Sequence, residues 1–344
     1  MWTAGVGWRG VDFEVVVVDS SGAETVAPTG FGGARVGALI ELLLECAARA
    51  GGALDCVVES TNGIIDGHLL AAGLRVFRVD PWSLPQRPPH GSVPARVLAE
   101  IGRAGSSGAL SRLGPGTGSL AGREAECAAN AAGSAEAELE LGRDGRYFTR
   151  GSGKRLEVAL TFDDGPHPGY TPQILDILHR YGVTATFFPV GLYAAAHPDL
   201  VARIVDAGHG LGNHTWSHPH LPDLSRDEVL RQVEATGDAL AKAAGAAPGL
   251  VRPPYGARTP DVLRWLVEPG LTAVLWDVDA NDWASPGAET IIANVTGGVT
   301  AGSIVLMHDA GGNRSQTVEA LPRILEILLE RDYAFVPVNA ASLA

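Results

Sequence analysis

Hydrophobic and polar positions switch between two periods along the chain. Apolar runs at 11–18, 55–59 and 74–79 read as buried strands, and helical spacing fills 35–48 and 63–72 between them. Alternation of this kind predicts an α/β domain over residues 1–104. From 105 to 155 the periodicity fades into a stretch dense in Gly, Ala and Ser, including GSSGALSRLGPGTGSLAG, which reads as a long connector with one short helix. Beyond it, strands are predicted at 156–162, 184–190, 249–252, 271–276, 303–307 and 333–338. Helices are predicted at 171–181, 198–207, 225–243, 259–267, 287–296 and 315–330. Six βα units in about 190 residues (156–344) predict an incomplete, distorted (β/α) barrel, with an open sheet as the other architecture sharing this alternation. In either, chemistry gathers at the C-terminal ends of the strands.

Composition narrows the class. With 344 residues, 46% of them hydrophobic, and a mean hydropathy of +0.11, the chain is globular. At ~150 residues per domain it is long enough for two domains. No apolar run reaches the ~20 residues of a membrane span, so no membrane partner is expected. The N-terminal residues lack the basic, apolar and small-residue regions of a secretory signal. Cys46, Cys56 and Cys127 lack metal-site spacing and read as reduced thiols, and both observations predict a cytoplasmic protein. The net charge of −13 argues against a nucleic-acid partner, because phosphate binding draws on clustered cations. The excess is concentrated after residue 155, where 22 acidic residues face 11 basic ones, and reads as a solvated surface.

Five short sequences stand where predicted strands end. In Thr161-Phe162-Asp163-Asp164-Gly165-Pro166, neighbouring strand residues diverge, so one carboxylate can hold a cation while the other accepts a proton; an Asp-Asp-Gly turn also serves structure alone. In Asn213-His214-Thr215-Trp216-Ser217-His218, a helical turn would put both imidazoles on one face, within reach of one metal. His167 and His220 have no matching partner and read as surface residues. Arg252-Pro253-Pro254-Tyr255-Gly256 is a stiff turn able to fix a guanidinium beside a carboxylate, or simply a rigid loop with a surface arginine. Asp279-Ala280-Asn281-Asp282-Trp283 and Leu306-Met307-His308-Asp309 complete the set. A His ending an apolar strand needs a polar partner, and a carboxylate there would raise its pKa toward that of a general acid.

With TFDDGP, HTWSH, RPPYG, DANDW and LMH in this order, residues 156–340 resemble the polysaccharide deacetylases of carbohydrate esterase family 4, the NodB-homology domain. The resemblance implies a distorted (β/α) barrel and a metal-dependent hydrolase acting on the acetamido group of an N-acetylated amino sugar. It implies that Asp164, His214 and His218 ligate one divalent ion, usually zinc. Asp163 is then the general base acting on the attacking water, and Arg252 orients it. The Tyr255 backbone N–H meets the oxyanion. His308, held by Asp282, is the acid, while Trp283 and Leu306 wall the acetyl pocket. Two imidazoles and a carboxylate also suit cobalt, nickel or iron(II). An O-acetyl esterase or another C–N amide hydrolase on the same barrel is the alternative within hydrolases. A non-catalytic carbohydrate-binding module is a further alternative, against which the full set of ligands, base and acid argues.

Residues 1–104 resemble, more faintly, the RNase H-like N-terminal domain of DEDD-type transposases. Asp12 and Glu59 match its first two acids, but Gly91-Ser92-Val93-Pro94 stands where the last two belong, so no nuclease chemistry is expected. A transposase-derived nucleic-acid-binding protein is the remote alternative. This smaller α/β domain is expected to be a scaffold, with a role in homo-oligomer formation or in shaping the substrate cleft.

Overall fold

The computed structural model describes residues 1–9, 12–31, 35–58, 65–79, 93–105, 110–113 and 120–338. It divides into two compact units, Met1–Ala128 with Ser217–Pro219, and Ala129–Trp216 with His220–Ala344.

The first unit opens with β1 (Trp2–Arg9), β2 (Asp12–Val18) and β3 (Glu24–Phe31). There follow α1 (Val36–Arg49), β4 (Leu54–Val58), α2 (Ile65–Ala71), β5 (Arg75–Val79), α3 (Ala95–Ala104) and β6 (Leu110–Leu113). The strand order is β3-β2-β1-β4-β5-β6, antiparallel at β3-β2, β2-β1 and β5-β6 and parallel at β1-β4 and β4-β5. All five positions of β4 are buried, which explains its continuous apolar run. Leu39, Leu43 and Cys46 give α1 the apolar stripe that its spacing predicts. Helix α3 lies close on β1 because Gly5 and Gly7 have no Cβ: one at Gly5 would strike the main chain of Ala95 and Ala99. Those glycines also hide β1 from a search for apolar runs. β3 is an edge strand with exposed positions and a proline, again without the signature of a buried strand. Asp12 begins β2, but its side chain and all of Glu59 lie outside the described residues.

The stretch read as a connector is more structured than expected. It holds β6, α4 (Leu120–Gly133), α5 (Ala135–Arg143) and β7 (Tyr147–Phe148). Alanine favours helix intrinsically but supplies no wide apolar stripe, and α5 buries only Ala137. Helical propensity, not periodicity, was the legible signal there.

The second unit continues with β8 (Glu157–Asp163), α6 (Thr171–Tyr181), β9 (Thr186–Phe188), α7 (Gly191–Ala196), α8 (Pro198–Asp206) and β10 (Gly210–Leu211). Then come α9 (Arg226–Ala244), β11 (Leu250–Val251), α10 (Pro260–Val267), β12 (Thr272–Val274) and β13 (Val278–Asp279). The remainder is α11 (Ala288–Gly298), β14 (Ser303–His308), α12 (Ser315–Glu330) and β15 (Ala334–Phe335). Its strands are parallel and form two sheets, one ordered β10-β9-β8-β14-β13 with β15 also on β8, the other β11-β12-β7. The isolated bridges Asn213–Val251 and Arg150–Ser303 link them. The alternation that predicts a barrel is thus realised as a mixed α/β fold with two bridged sheets.

Helices α6 and α12 pack Ile174, Leu178, Leu321, Ile324 and Leu328 against Leu160, Phe162, Val305 and Met307. Phe162 stacks on Phe187 at 5.2 Å between centroids. Register then fixes what lies at the strand ends. Asp163 of β8 pairs with His308 of β14 and with Phe188 of β9, and Leu306 pairs with both Thr161 and Asp279.

Candidate active site

Asp163 ends β8 almost wholly buried, and its environment is built around Arg252. The Arg252 guanidinium is fully buried. It donates to Asp163 Oδ1 (2.7 Å), Thr161 Oγ1 (2.7 Å) and the carbonyls of Val274 and Leu275 (3.0 Å each). It also lies 4.1 Å above the Phe188 ring. A surface arginine on a rigid loop is excluded. Burial lowers the arginine's pKa and the Asp163 carboxylate works against that loss.

At Asp164 the chain takes φ 75°, so the two adjacent carboxylates do not diverge as in a regular strand. Both approach one imidazole nitrogen: Asp163 Oδ2 and Asp164 Oδ1 each lie 3.6 Å from His214 Nε2. The opposite nitrogen, His214 Nδ1, is 2.8 Å from the Arg252 carbonyl, and donating to it leaves the Nε2 lone pair facing the carboxylates.

His214 and His218 do not share a helical turn. Residues 212–220 are irregular, and positive φ at Thr215 (66°) and His218 (55°) curls the segment so that the imidazoles converge. Buried amides hold that curl. Asn213 donates to the Val233 carbonyl and accepts from Thr215 N, while Gln232 of α9 accepts from Trp216 N. One ligand atom each from Asp164, His214 and His218 lies within 4.8 Å of the other two, a spacing able to hold one metal ion. The donor set fits: two imidazoles and a carboxylate with ligand bonds of about 2.0–2.2 Å place the donors on one ion and leave further positions open. His220 is buried rather than at the surface, with its ring 6.4 Å from that of Tyr255. His167 instead accepts from the N–H groups of Gly169 and Tyr170 in a turn.

On the other side of Asp163, His308 Nδ1 is 2.7 Å from Asp282 Oδ1, and Asp282 Oδ2 accepts from His308 N (2.9 Å) and Thr317 Oγ1 (2.8 Å). Burial pulls the imidazole down, but Asp282 outweighs it, with help from Asp164, and lifts the pKa from 6.5 to about 9. The burial of Asp282 is likewise outweighed by His308, Arg314 and Thr317, which hold its carboxyl below the usual range. Trp283 is 39% exposed beside this pair, its side chain hydrogen-bonded to Asp279, whereas Leu306 is buried. Tyr255 lies in a tight turn at φ 61°.

Three residues at the site escaped the sequence reading of roles. Asp309 is buried, accepts from Thr171 Oγ1 (2.5 Å), and has its pKa pushed up to about 7 by burial and by Asp164 and Asp163. A Cβ on Gly311 would collide with the Asp164 carboxylate. Arg314, also buried, donates to the Asp282 carbonyl. Their signal was present, since Asp309 adjoins the LMH sequence, but no spacing rule marks residues whose partners lie from 32 positions away, for Arg314 and Asp282, to 138, for Asp309 and Thr171.

Residues 150–274 match a family model described as polysaccharide deacetylase. The chain is 42% identical over 191 residues to a peptidoglycan-N-acetylglucosamine deacetylase of Bacillus cereus, covering 55% of this chain and 70% of that one. It is 42% identical over 187 residues to a chitooligosaccharide deacetylase of Sinorhizobium fredii, covering 51% and 87% respectively. Among solved structures it is similar to the Bc1960 peptidoglycan N-acetylglucosamine deacetylase, at 40% identity and a TM-score of 0.57, over 58% of this chain and 94% of that one.

Proposed function

The chain belongs to the polysaccharide deacetylase family, carbohydrate esterase family 4, and from that premise we propose that it hydrolyses the acetamido group of an N-acetylglucosamine-containing glycan, releasing acetate and a free amine. One observation carries this reading. A three-residue metal-binding set adjoins a buried carboxylate on one side, while a His–Asp pair stands at the neighbouring strand end.

An amide is a poor electrophile with a poor leaving group, so its hydrolysis needs an activated water, a stabilised oxyanion and a proton for nitrogen. Asp164, His214 and His218 would hold the metal. Zinc suits that donor set, with cobalt, nickel or iron(II) also accommodated, and when bound it supplies a Lewis acid and makes water acidic near neutral pH. Asp163 takes the proton of the attacking water, and Arg252, hydrogen-bonded to its Oδ1, aims that carboxylate. The Tyr255 backbone N–H meets the oxyanion. His308, cationic below about pH 9, gives its proton to the departing nitrogen, and Asp282 stabilises that cation. Trp283 and Leu306 bound the acetyl pocket.

The strand bridges that link the two sheets of the second unit support reading it as a distorted barrel. For the first unit, the order β3-β2-β1-β4-β5, with β2 antiparallel to both neighbours, supports an RNase H-like scaffold without nuclease chemistry. The test of function is mass spectrometry of N-acetylated sugars incubated with the protein, with and without chelator. The expected product is lighter by ~42 Da per acetyl group removed, and turnover that resists chelation overturns the metal-dependent reading.

A further inference from the structure

We propose that Arg314 is a positioning residue of the deacetylation reaction, tying the turn that carries Asp282 to the loop that lies against Asp164. The inference rests on the deacetylase reading above. Arg314 precedes α12 and is 2% exposed. Each of its three nitrogens donates to a main-chain carbonyl: Nε to Ala310 (2.7 Å), Nη1 to Asp282 (3.0 Å) and Nη2 to Gly311 (3.0 Å).

The two ends of this fork reach different halves of the site. Gly311, at φ 72°, lies so close to the Asp164 carboxylate that a Cβ there would collide with it. A shift of the Gly311 loop therefore presses on the carboxylate that belongs to the metal-binding set. Asp282 is gripped twice, at its carbonyl by Arg314 and at Oδ2 by Thr317 of α12, while its Oδ1 holds His308. One rigid planar group thus sets the separation between the residue that delivers the proton and the carboxylate that holds the ion. Burying a cation among neutral carbonyls carries a desolvation cost that an apolar packing residue would not. The nearby Asp282 carboxylate offsets part of it.

A merely structural clamp and a positioning residue differ in a double-mutant cycle. The test uses the full chain loaded with zinc and an N-acetylglucosamine oligomer that the wild type turns over. Arg314→Met is expected to lower kcat about 10- to 100-fold with KM within about twofold, the cost of a misplaced group of order 1 Å. Zinc affinity, read by competition with a chromogenic chelator, is expected to weaken about 10-fold or more. In an Asp282→Asn background the same substitution is expected to cost less than about threefold in kcat, because the carboxylate through which it acts on His308 is already gone. Arg314→Lys keeps the charge but not the fork and is expected to recover only part of kcat. Equal losses in both backgrounds, unchanged kcat, or loss of cooperative unfolding in both Arg314 variants overturns the proposal. A wild-type chain that releases no acetate overturns the deacetylase reading instead, a result that the variants do not mimic.

Discussion

The stretch up to residue 128 and the stretch beyond it treat buried polar groups differently. Among the described residues, Thr3, Asp55 and Asp66 are the buried polar side chains up to residue 128, whereas twenty lie beyond it. Among the described residues, positive φ at residues other than glycine follows the same division: all seven such positions lie beyond residue 128, and five of them, Asp164, Thr215, His218, Tyr255 and Asn281, fall within the five short sequences that end the strands. Each such group costs free energy, about 1–3 kcal/mol for the backbone strain alone. The stretch up to residue 128 spends its burial on aliphatic strands and close helix packing. The stretch beyond it accepts strain and desolvation where side chains must converge, and that difference locates chemistry without reference to any relative.

The contrast can be broken most severely at the metal. Chelation is expected to abolish acetate release and zinc to restore it, measured by acetate assay. Activity that survives exhaustive dialysis against chelator removes the basis of the comparison. Asp163→Asn is expected to lower kcat by about 10²–10⁴-fold while leaving the fold intact by circular dichroism. Arg252→Met leaves a buried carboxylate unpaired and is expected to destabilise the second unit by about 3–5 kcal/mol, visible in denaturant unfolding. For His308 the sign follows from its raised pKa: the acid form is present below about pH 9 and is lost as pH rises through it, so kcat should fall on that alkaline limb. Asp282→Asn removes the charge that outweighs burial and should move the limb to lower pH. The smallest effect on turnover belongs to the first unit. Leu43→Ala, at a fully buried position of α1, is expected to cost about 2–5 kcal/mol of stability there. Faster hydrogen exchange should be confined to residues 1–128, with kcat unchanged; a large fall in kcat would show that the first unit takes part in catalysis.

Much of the second unit was legible because local rules suffice there. Strands β8 and β14 are near-continuous apolar runs, α9 announces itself with Ser225 and Glu228 as a capping box, and α6 ends at Gly182 in the left-handed conformation. In the first unit, β1 and β3 were illegible, one because its glycines serve helix packing and the other because an edge strand needs no apolar face. The Ala-rich helices α4 and α5 were missed for want of periodicity.

The order of residues by itself marked the carboxylates, imidazoles and arginine that gather at the candidate site, and the strand ends near which they sit, because chemical type and apolar period are properties of neighbours along the chain. It did not determine how those donors meet. That two adjacent aspartates converge on one imidazole, that Arg252 lies wholly buried, that His220 is interior and that Arg314 spans both halves of the site are consequences of parallel register and left-handed turns. Each joins residues tens to more than a hundred positions apart, and such distances close only when sheets and helices pack.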